Sequence, residues 1–199
     1  MGGAVVTTAT ALTTPAPNPA FHQSLPLSID APLGVYGPRD PKGAPVRLLI
    51  PRLKLSAPVD ALGVTRDYAL QAPAGVSSVA WYRLGALPGN PGDAIISGHR
   101  GYPGGVPAVF NHLGRLKPGD EIEVLLAGGS TVRFAVDRIF SSPYRVIPAG
   151  FFATDGPSRL TLVTCTGTFR TNDLTYTDRL VVEATSVAGN FPTNHQGVN

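Results

Sequence analysis

The chain has 199 residues, of which only 15% are charged, and it contains 23 glycines and 20 prolines. Because both residues interrupt helices, this composition favours a loop-rich β protein over a helical bundle. The net charge of +3 comes from scattered Lys and Arg without a basic run, so the charge pattern argues against nucleic-acid binding. The single cysteine excludes an internal disulfide and any zinc site built from several cysteines.

Both ends of the chain read as extended segments. Residues 1–45 contain repeated prolines and no periodic apolar pattern, which predicts a mostly disordered arm or stalk. This arm has neither the charged start nor the continuous apolar core of a signal peptide. The tail, 188–199, is expected to fray. The segment between them, 46–187, has the usual length of one domain.

The central segment is predicted to form short strands, with one helical turn over 107–116, where proline occupies a tolerated first position. Residues 121–126 alternate apolar and polar side chains, and the turn AGGS connects them to 131–140 as a hairpin. The eight candidate strands are 46–50, 57–62, 68–73, 93–99, 121–126, 131–140, 159–165 and 179–184.

This arrangement predicts an all-β fold, an eight-stranded closed or nearly closed barrel with one or two short helices. A domain without disulfides needs one continuous hydrophobic core. Closure of the sheet also removes the exposed strand edges on which other chains could pair.

The only cysteine, Cys165, ends the stretch TLVTC and precedes a polar, loop-like sequence. A lone cysteine in a strand is usually inert packing, but the end of a strand also holds a side chain rigidly within reach of a substrate. A thiol becomes a good nucleophile only when it is deprotonated, so a reactive Cys165 needs a base or a cation nearby.

Among the four histidines, His99 is the candidate base, since it directly follows the apolar strand in AIISGHRG. His22 and His195 lie in the predicted tails, and His112 lies on the predicted helical turn. Imidazole suits proton transfer near neutral pH. The alternative is a histidine that only satisfies the hydrogen bonds of a turn.

A cation is expected from Arg179, which begins the strand after Cys165. If these two strands pair antiparallel, Arg179 lies close to the thiol and can donate hydrogen bonds to a developing oxyanion. An ordinary salt bridge of Arg179 to Asp178 or Asp155 is an equal alternative. Arg100 is another candidate cation, although neighbours in an extended chain point to opposite sides.

These features together resemble the sortase family. The resemblance covers about residues 46–187 and rests on TLVTC, on the Gly-His pair after an earlier strand, and on RLVVEA after the cysteine. Supporting stretches are IPRLKLSAPV at 50–59, Trp81-Tyr82, and the pattern F-x-x-L-x-x-L-x-x-G-D at 110–120. The compact start and Trp81-Tyr82 are similar to class F, which we favour, whereas Arg100-Gly101 after the histidine is similar to class E.

The resemblance implies a monomeric cysteine transpeptidase on the extracellular face of the cell membrane, anchored by an N-terminal segment that is absent from this chain. It implies exported proteins with a C-terminal Leu-Pro-X-Thr-Gly (LPXTG) sorting signal as substrates. An amine acceptor, such as a peptidoglycan precursor, would receive the acyl group at the cell wall. The resemblance implies no cofactor, and the lack of an acidic cluster at 83–92 predicts no calcium site.

Four residues receive roles from the resemblance. Cys165 would attack the Thr carbonyl of the signal and form a thioester. His99 would protonate the leaving glycine amine and later deprotonate the incoming amine. Arg179 would hold the substrate backbone and the oxyanion. Thr164 would help to shape the pocket.

The connection over 141–159 would supply the signal groove. An apolar wall for Leu-Pro is predicted from its large side chains; alternatively, they cap the open end of the barrel. The residues of this wall are Tyr144, Ile147, Pro148, Phe151 and Phe152.

Two other functions remain open from the residues alone. A cysteine peptidase (a hydrolase or thiol protease) would use the same thiol and imidazole but pass the acyl group to water. A non-catalytic peptide-binding barrel would bury an unreactive Cys165 far from His99. A zinc or haem protein is disfavoured because only His99 and His112 remain as histidine ligands outside the tails.

Overall fold

A computed structural model of the chain describes residues 42–64 and 70–187. The predicted arm, 1–45, and the tail, 188–199, lie almost wholly outside this part, so the domain boundaries stay predictions. The described residues form eight strands and two 3₁₀ helices, Pro51–Leu53 and Leu113–Arg115. The strands are β1 Pro45–Ile50, β2 Leu55–Leu62, β3 Val79–Tyr82, β4 Gly92–Gly98, β5 Glu121–Leu126, β6 Thr131–Pro143, β7 Ser158–Arg170 and β8 Thr175–Ser186.

The eight strands form a closed barrel in the order β1-β2-β3-β4-β7-β8-β6-β5, in which β5 returns to pair with β1. Two neighbouring pairs, β2 with β3 and β4 with β7, are parallel, and the other pairs are antiparallel. The predicted eight-stranded all-β barrel is therefore confirmed, including the β5–β6 hairpin. None of the helices in the described part of the chain is long and apolar enough to span a membrane.

One predicted strand is wrong. Residues 68–73 were expected to pair, but 68 and 69 lie outside the described residues, and Leu70 forms only an isolated bridge with Val64. The third strand of the barrel is instead β3, which brings Trp81 into the core. Leu70 is nevertheless buried. It is not part of the sheet, but its side chain packs against other apolar side chains on the outer face of the barrel.

The predicted helical turn over 107–116 is also shorter than expected. Its backbone hydrogen bonds join residues three apart, as from Leu113 N to Phe110 O, 3.1 Å, and from Leu116 N to Leu113 O, 3.2 Å. Only Leu113–Arg115 forms a 3₁₀ helix. The tight turns bury Phe110, Leu113 and Leu116 in the barrel core, so tertiary packing overrides the helical pattern.

Side-chain alternation builds the core as the pattern in β5 predicts: Ile122, Val124 and Leu126 point inward. β4 departs from this pattern, because all seven of its residues are buried. β7 is buried on both faces from Leu160 to Cys165. Loops therefore cover the outer face of the β4–β7 pair, and this covered face carries the candidate site.

Gly98 allows the loop after β4 to pack against this pair. A Cβ atom at this position would lie 2.6 Å from Cδ2 of the Phe110 ring and 3.0 Å from Cγ1 of Val109. Phe110 cannot easily retreat, since its own N–H donates to His99 O at 2.9 Å. The lack of a side chain at Gly98 therefore keeps the residue after it, His99, close to the barrel.

We predict that Gly98→Ala lowers the free energy of unfolding by about 1–3 kcal/mol, the usual cost of overpacking a tight site. Gly114→Ala is the matched control, because its Cβ would meet only Leu180 Cδ2, at 3.4 Å. Urea denaturation of both variants measures the difference. Equal stability of the two variants would contradict the proposed close packing at Gly98.

Candidate active site

The candidate nucleophile and the candidate cation lie on adjacent strands. β7 and β8 pair antiparallel with Cys165 directly opposite Arg179, so the predicted pairing is observed. Both strands are longer than predicted, because their ladder continues to Arg170 and Thr175, so Cys165 does not end its strand and Arg179 does not begin one. Side chains on directly opposite residues of a strand pair project from the same face. The sheet register thus brings the guanidinium to the thiol, although 13 residues separate them in sequence.

His99 leaves the barrel at the same edge. β4 and β7 run parallel, and their last aligned pair is Ser97 with Val163. His99 and Cys165 each follow two residues later on their own strands. The Thr164 hydroxyl donates to Gly98 O at 2.8 Å, which ties the end of β4 to the middle of β7.

Odd-numbered residues of the β4–β7 pair face outward. Ala94 and Leu160 belong to the barrel core, whereas Ile95 and Val163 form a separate cluster outside it. Because alternation continues along an extended chain, Cys165 follows Val163 on the outer face. Thr164 lies on the opposite face from Cys165. Its hydroxyl contact between strands places it at the base of the site, and its role in shaping the pocket stays a prediction.

The environment of the Cys165 thiol acts on its ionisation in two opposing ways. The residue is only 9% exposed, and burial raises the pKa of the thiol. The positive charges of Arg179 and Arg100 act in the opposite direction and lower this pKa, but burial is the larger effect. The resting thiol is therefore protonated at neutral pH and becomes reactive only when its proton is removed.

The His99 ring is oriented by the backbone. Its Nε2 lies 2.8 Å from Pro73 O. Since a carbonyl only accepts hydrogen bonds, Nε2 carries a proton, and Nδ1 is the nitrogen that takes up and releases the second one. The pKa of the ring is lowered by burial, with the bond to Pro73 acting in the opposite direction. The resting imidazole is therefore neutral at pH 7.

Arg179 is held in place while keeping one donor available. It is 2% exposed, and Nη1 donates to Asp178 O at 3.0 Å and to Tyr176 O at 3.3 Å. Its Nε is buried and has no acceptor within the described residues. No carboxylate of the described part of the chain forms an ion pair with it, so the predicted alternative of a salt bridge to Asp178 or Asp155 is not observed.

A second cation, Arg100, acts on the thiol. Strand alternation predicted instead that its side chain would point away from that of His99. Arg100 Nη1 donates to the Thr166 hydroxyl at 3.0 Å, and its guanidinium lies 5.5 Å from the centre of the Tyr176 ring. β4 ends at Gly98, so alternation no longer constrains the side chains after it. Both Arg100 and Arg179 therefore lower the pKa of the same thiol.

The loop between β6 and β7 forms an apolar pocket on the β8 side of the thiol. Ile147, Pro148 and Phe151 line it, three of the residues predicted for the signal groove. Val163, Val181, Val146 and Arg179 complete the lining. Its cavity volume is about 10 Å³, on the order of one water molecule, so a peptide side chain could enter only if the loop moves outward.

The other two predicted groove residues lie at the edges of this pocket. The Phe152 ring packs edge-to-face against Tyr82, with ring centres 5.6 Å apart. Tyr144 lies above Arg179, whose guanidinium carbon is 5.5 Å from the ring centre, and two further arginines, Arg145 and Arg170, stack on the same ring. Tyr144 therefore covers the candidate cation.

Sequence reasoning missed two parts of the site. Leu70 packs with Ile95, Phe151 and Val163 on the outer face of the barrel, and no local pattern distinguishes it from a strand residue. Tyr102 lies in the loop after His99 and contributes to a second cavity.

This second cavity has a volume of about 290 Å³. Its aromatic wall is formed by Phe169, which packs edge-to-face on Tyr102 at 5.7 Å and on Tyr176 at 5.1 Å between ring centres. Arg100, Gly101, Pro103, Gly105, Pro107, Asn111 and Gly167 complete the lining. Within residues 42–64 and 70–187, no group of three or more His, Cys, Asp or Glu side chains could hold a metal ion.

The arrangement brings a cysteine thiol, an imidazole and a guanidinium together on the outer face of a β-barrel, next to the end of β4. Comparison with known proteins gives the family of the chain. The family model for the Sortase domain matches residues 48–187. The chain therefore belongs to the sortase family, a family of cysteine transpeptidases. No protein of curated function matches the chain.

Solved structures with similar folds include sortases of class C. Sortase C-1 from Actinomyces oris is 24% identical, with a TM-score of 0.57 over 71% of this chain and 72% of that one. Sortase C1 of Streptococcus agalactiae is 24% identical, with a TM-score of 0.55 over 71% and 66% of the two chains. Sortase C of Streptococcus pneumoniae is 21% identical, with a TM-score of 0.55 over 73% and 67%. The chain thus spans about two thirds of these proteins, and the likeness shows a shared fold.

Asp93, at the opposite end of β4 from His99, provides a test of buried charge in the same strand pair. It is 4% exposed, and its Oδ2 accepts the Thr161 hydroxyl at 2.8 Å, while Oδ1 is buried without a partner in the described residues. Burial raises the pKa of the carboxyl from 3.8 to about 7, and the bond from Thr161 offsets only part of this effect. A carboxyl that binds its proton more tightly in the folded state stabilises the fold most at low pH.

We therefore predict that the unfolding free energy of the wild type falls by up to a few kcal/mol between pH 4 and pH 7, and that Asp93→Asn removes most of this fall. The variant should be the more stable protein at pH 8. Asp137→Asn is the control, because Asp137 also accepts a threonine hydroxyl, from Thr185, but is exposed. Urea denaturation at several pH values measures the effect. A fall of the same size in Asp93→Asn would show that this carboxyl is not its source.

Proposed function

We propose that this sortase cleaves a Leu-Pro-X-Thr-Gly-type sorting signal between Thr and Gly through a thioester on Cys165 and transfers the acyl group to an amine. The observation that carries the proposal is the buried Nε of Arg179, opposite the thiol and without an acceptor in the described residues. A buried donor without a partner is costly, which favours a site that a substrate oxygen completes.

The first half of the reaction would be acylation. The Cys165 sulfur attacks the Thr carbonyl carbon, a C–S bond forms, and the C–N bond to glycine breaks. The thiol proton passes through His99 Nδ1 to the leaving glycine amine. Arg179 Nε donates to the carbonyl oxygen as it becomes negative. The arginine cannot act as the base, because it stays protonated at any working pH.

Deacylation would reverse the roles. An amine attacks the thioester carbon, the C–N bond forms and the C–S bond breaks, and the proton of the amine passes through His99 to the departing sulfur. Because burial disfavours both the thiolate and the imidazolium, the resting pair is neutral. In the proposed reaction the thiol gives up its proton during the attack on the substrate. A buried neutral thiol is also protected from oxidation between turnovers.

The apolar pocket is proposed to bind the Leu-Pro part of the signal. Its walls include Ile147 and Phe151, with Arg179 at the thiol end. An apolar dipeptide followed by a carbonyl matches an apolar pocket that ends at a cation. Tyr144 and Phe152 lie beside this pocket, where they would limit how far the loop opens. Thr164 would support the pocket from below by holding β4 to β7.

We further propose that the protein works as a monomer on the extracellular face of the cell membrane, tethered through an N-terminal anchor. Its partners there would be exported proteins with the sorting signal and an amine acceptor such as a peptidoglycan precursor. Membership of the sortase family supports this placement. The class stays our sequence-based prediction, class F with class E as the alternative.

The test uses quenched fluorescent peptides with Leu-Pro-X-Thr-Gly and Leu-Ala-X-Thr-Gly signals, with and without added diglycine. We expect an amine-dependent ligation product and a covalent acyl-enzyme detectable by mass spectrometry. Cys165→Ala should abolish both, and His99→Ala should lower kcat/KM by at least about 100-fold, as expected for loss of a general acid–base. Release of the peptide only to water, even at high amine concentration, would favour the cysteine peptidase. Absence of an acyl-enzyme would favour the non-catalytic barrel.

The ionisation of Cys165 gives a second test. We expect the rate of iodoacetamide alkylation to rise with pH through a midpoint above 9.0, the ordinary thiol value, because burial raises the pKa. Arg179→Gln should move the midpoint to still higher pH, since it removes a positive charge that favours the thiolate.

Arg170→Gln is the matched control, because Arg170 stacks on the same Tyr144 ring, at 5.0 Å, but does not contribute to the pKa of Cys165. Its midpoint should equal that of the wild type. An unchanged midpoint in Arg179→Gln would mean that its guanidinium does not act on the thiol.

A further inference from the structure

The two cavities flank the thiol along β7. Val163, two residues before Cys165, lines the apolar pocket, and Gly167, two residues after it, lines the second cavity. Burial raises the pKa of Tyr102 and of Tyr176 in the second cavity, and the charge of a Cys165 thiolate adds a smaller effect in the same direction on both. The second cavity therefore lies near the thiol, further along β7 and on the side away from the apolar pocket.

In the proposed reaction the amine leaves and enters on this side of the thiol. If the acyl part occupies the apolar pocket, the glycine leaves on the opposite side of the reacting carbon. Deacylation is the same step run backwards with a different amine, so the acceptor approaches from where the glycine left. A volume of about 290 Å³ is at the small end of ligand sites and suits one or two amino-acid-sized groups.

The charge in this cavity selects the chemistry of the acceptor. Arg100 is the only charged residue of the lining, and no carboxylate of the described residues forms an ion pair with it. The guanidinium is already positioned, by its bond to the Thr166 hydroxyl and by stacking on Tyr176. A fixed guanidinium with donors left over is a good partner for a carboxylate.

The polar groups around Arg100 support the same reading. The Tyr176 hydroxyl donates to Gly101 O at 3.0 Å, which fixes the loop that carries Arg100. Gly101 has a φ of +101°, and a Cβ there would lie 2.8 Å from Val106 O, so this backbone shape requires glycine. Asn111 adds an amide at the far wall. The cavity thus presents one cation beside its aromatic wall.

We propose that this cavity is the acceptor site, and that it selects amines that carry a carboxylate close to the amino group, with Arg100 binding the carboxylate. This inference rests on the proposed function and names the acceptor class for the same site. The carboxylate takes no part in bond making: the amine nitrogen bonds to the acyl carbon, the C–S bond breaks, and the proton moves to the sulfur through His99.

The test compares diglycine with diglycinamide as acceptors for the wild-type acyl-enzyme. The two amines are alike near the nucleophile and differ in the terminal carboxylate. We expect diglycine to give the higher ratio of ligation to hydrolysis, by about tenfold or more, as for a charge-assisted hydrogen bond. The preference should shrink as salt is raised. Because both products come from one thioester, this ratio does not depend on how fast the thioester forms.

Arg100→Gln should bring the preference for diglycine to near one, and Arg100→Lys should retain part of it, since lysine keeps the charge but loses the planar fork. Arg145→Gln is the matched control. Arg145 also stacks on a tyrosine, Tyr144, at 5.1 Å, but on the apolar-pocket side, so the ratio should match that of the wild type.

The outcomes separate this inference from the proposed function. Absence of an acyl-enzyme in the wild type would overturn both. An acyl-enzyme that reacts equally with diglycine and diglycinamide would overturn the acceptor site alone, and the wild type by itself gives this result even if no variant folds. A preference that persists unchanged in soluble Arg100→Gln would place the carboxylate elsewhere.

Discussion

The parallel pairing of β4 with β7 is the constraint on which the rest of the site depends. It aligns Ser97 with Val163, and the Thr164 hydroxyl bound to Gly98 O holds the end of β4 against the middle of β7. His99 and Cys165 each follow this aligned pair by two residues, so His99, just past the end of β4, lies beside Cys165, which is inside β7. The pairing of β7 with β8 then adds Arg179 from the other side. β7 therefore pairs with both β4 and β8, and a shift of its register would separate the thiol from the imidazole and from the guanidinium.

Burial is the larger effect on the pKa of both titrating groups at this site; it is opposed by the charges of two arginines at Cys165 and by the hydrogen bond to Pro73 at His99. Burial raises the pKa of the thiol, although Arg100 and Arg179 favour the thiolate, and burial lowers the pKa of the imidazole. The resting thiol and imidazole are neutral, so the two arginines stabilise negative charge only when it develops on a substrate oxygen or on the sulfur during the reaction. The two arginines also divide the space: Arg179 lies at the apolar pocket, and Arg100 lies at the larger cavity.

Much of the barrel could be predicted from the sequence, because alternation and turn residues are local signals. The β5–β6 hairpin shows this most directly, since the bounds of β5, the start of β6 and the inward side chains follow from the sequence pattern, although β6 continues to Pro143. The failures occurred where packing decides. Residues 68–73 have strand-like composition, but Leu70 fills a gap against Phe151, and the helical pattern at 107–116 gives way to tight turns that seat Phe110.

The sequence alone indicated that the cysteine and the arginine belong to two consecutive strands and that a histidine directly follows a third, because these depend only on order and alternation; it did not show that β7 continues past Cys165 and that β8 begins before Arg179. The tertiary structure decided which strands are neighbours. It therefore decided that Arg100 joins Arg179 at the thiol, that Pro73 orients the His99 ring, and that Tyr102 and Tyr176 border a cavity beside the sulfur. These contacts join residues that are distant in sequence. Closure of the barrel, and not any local pattern, brings them together in space.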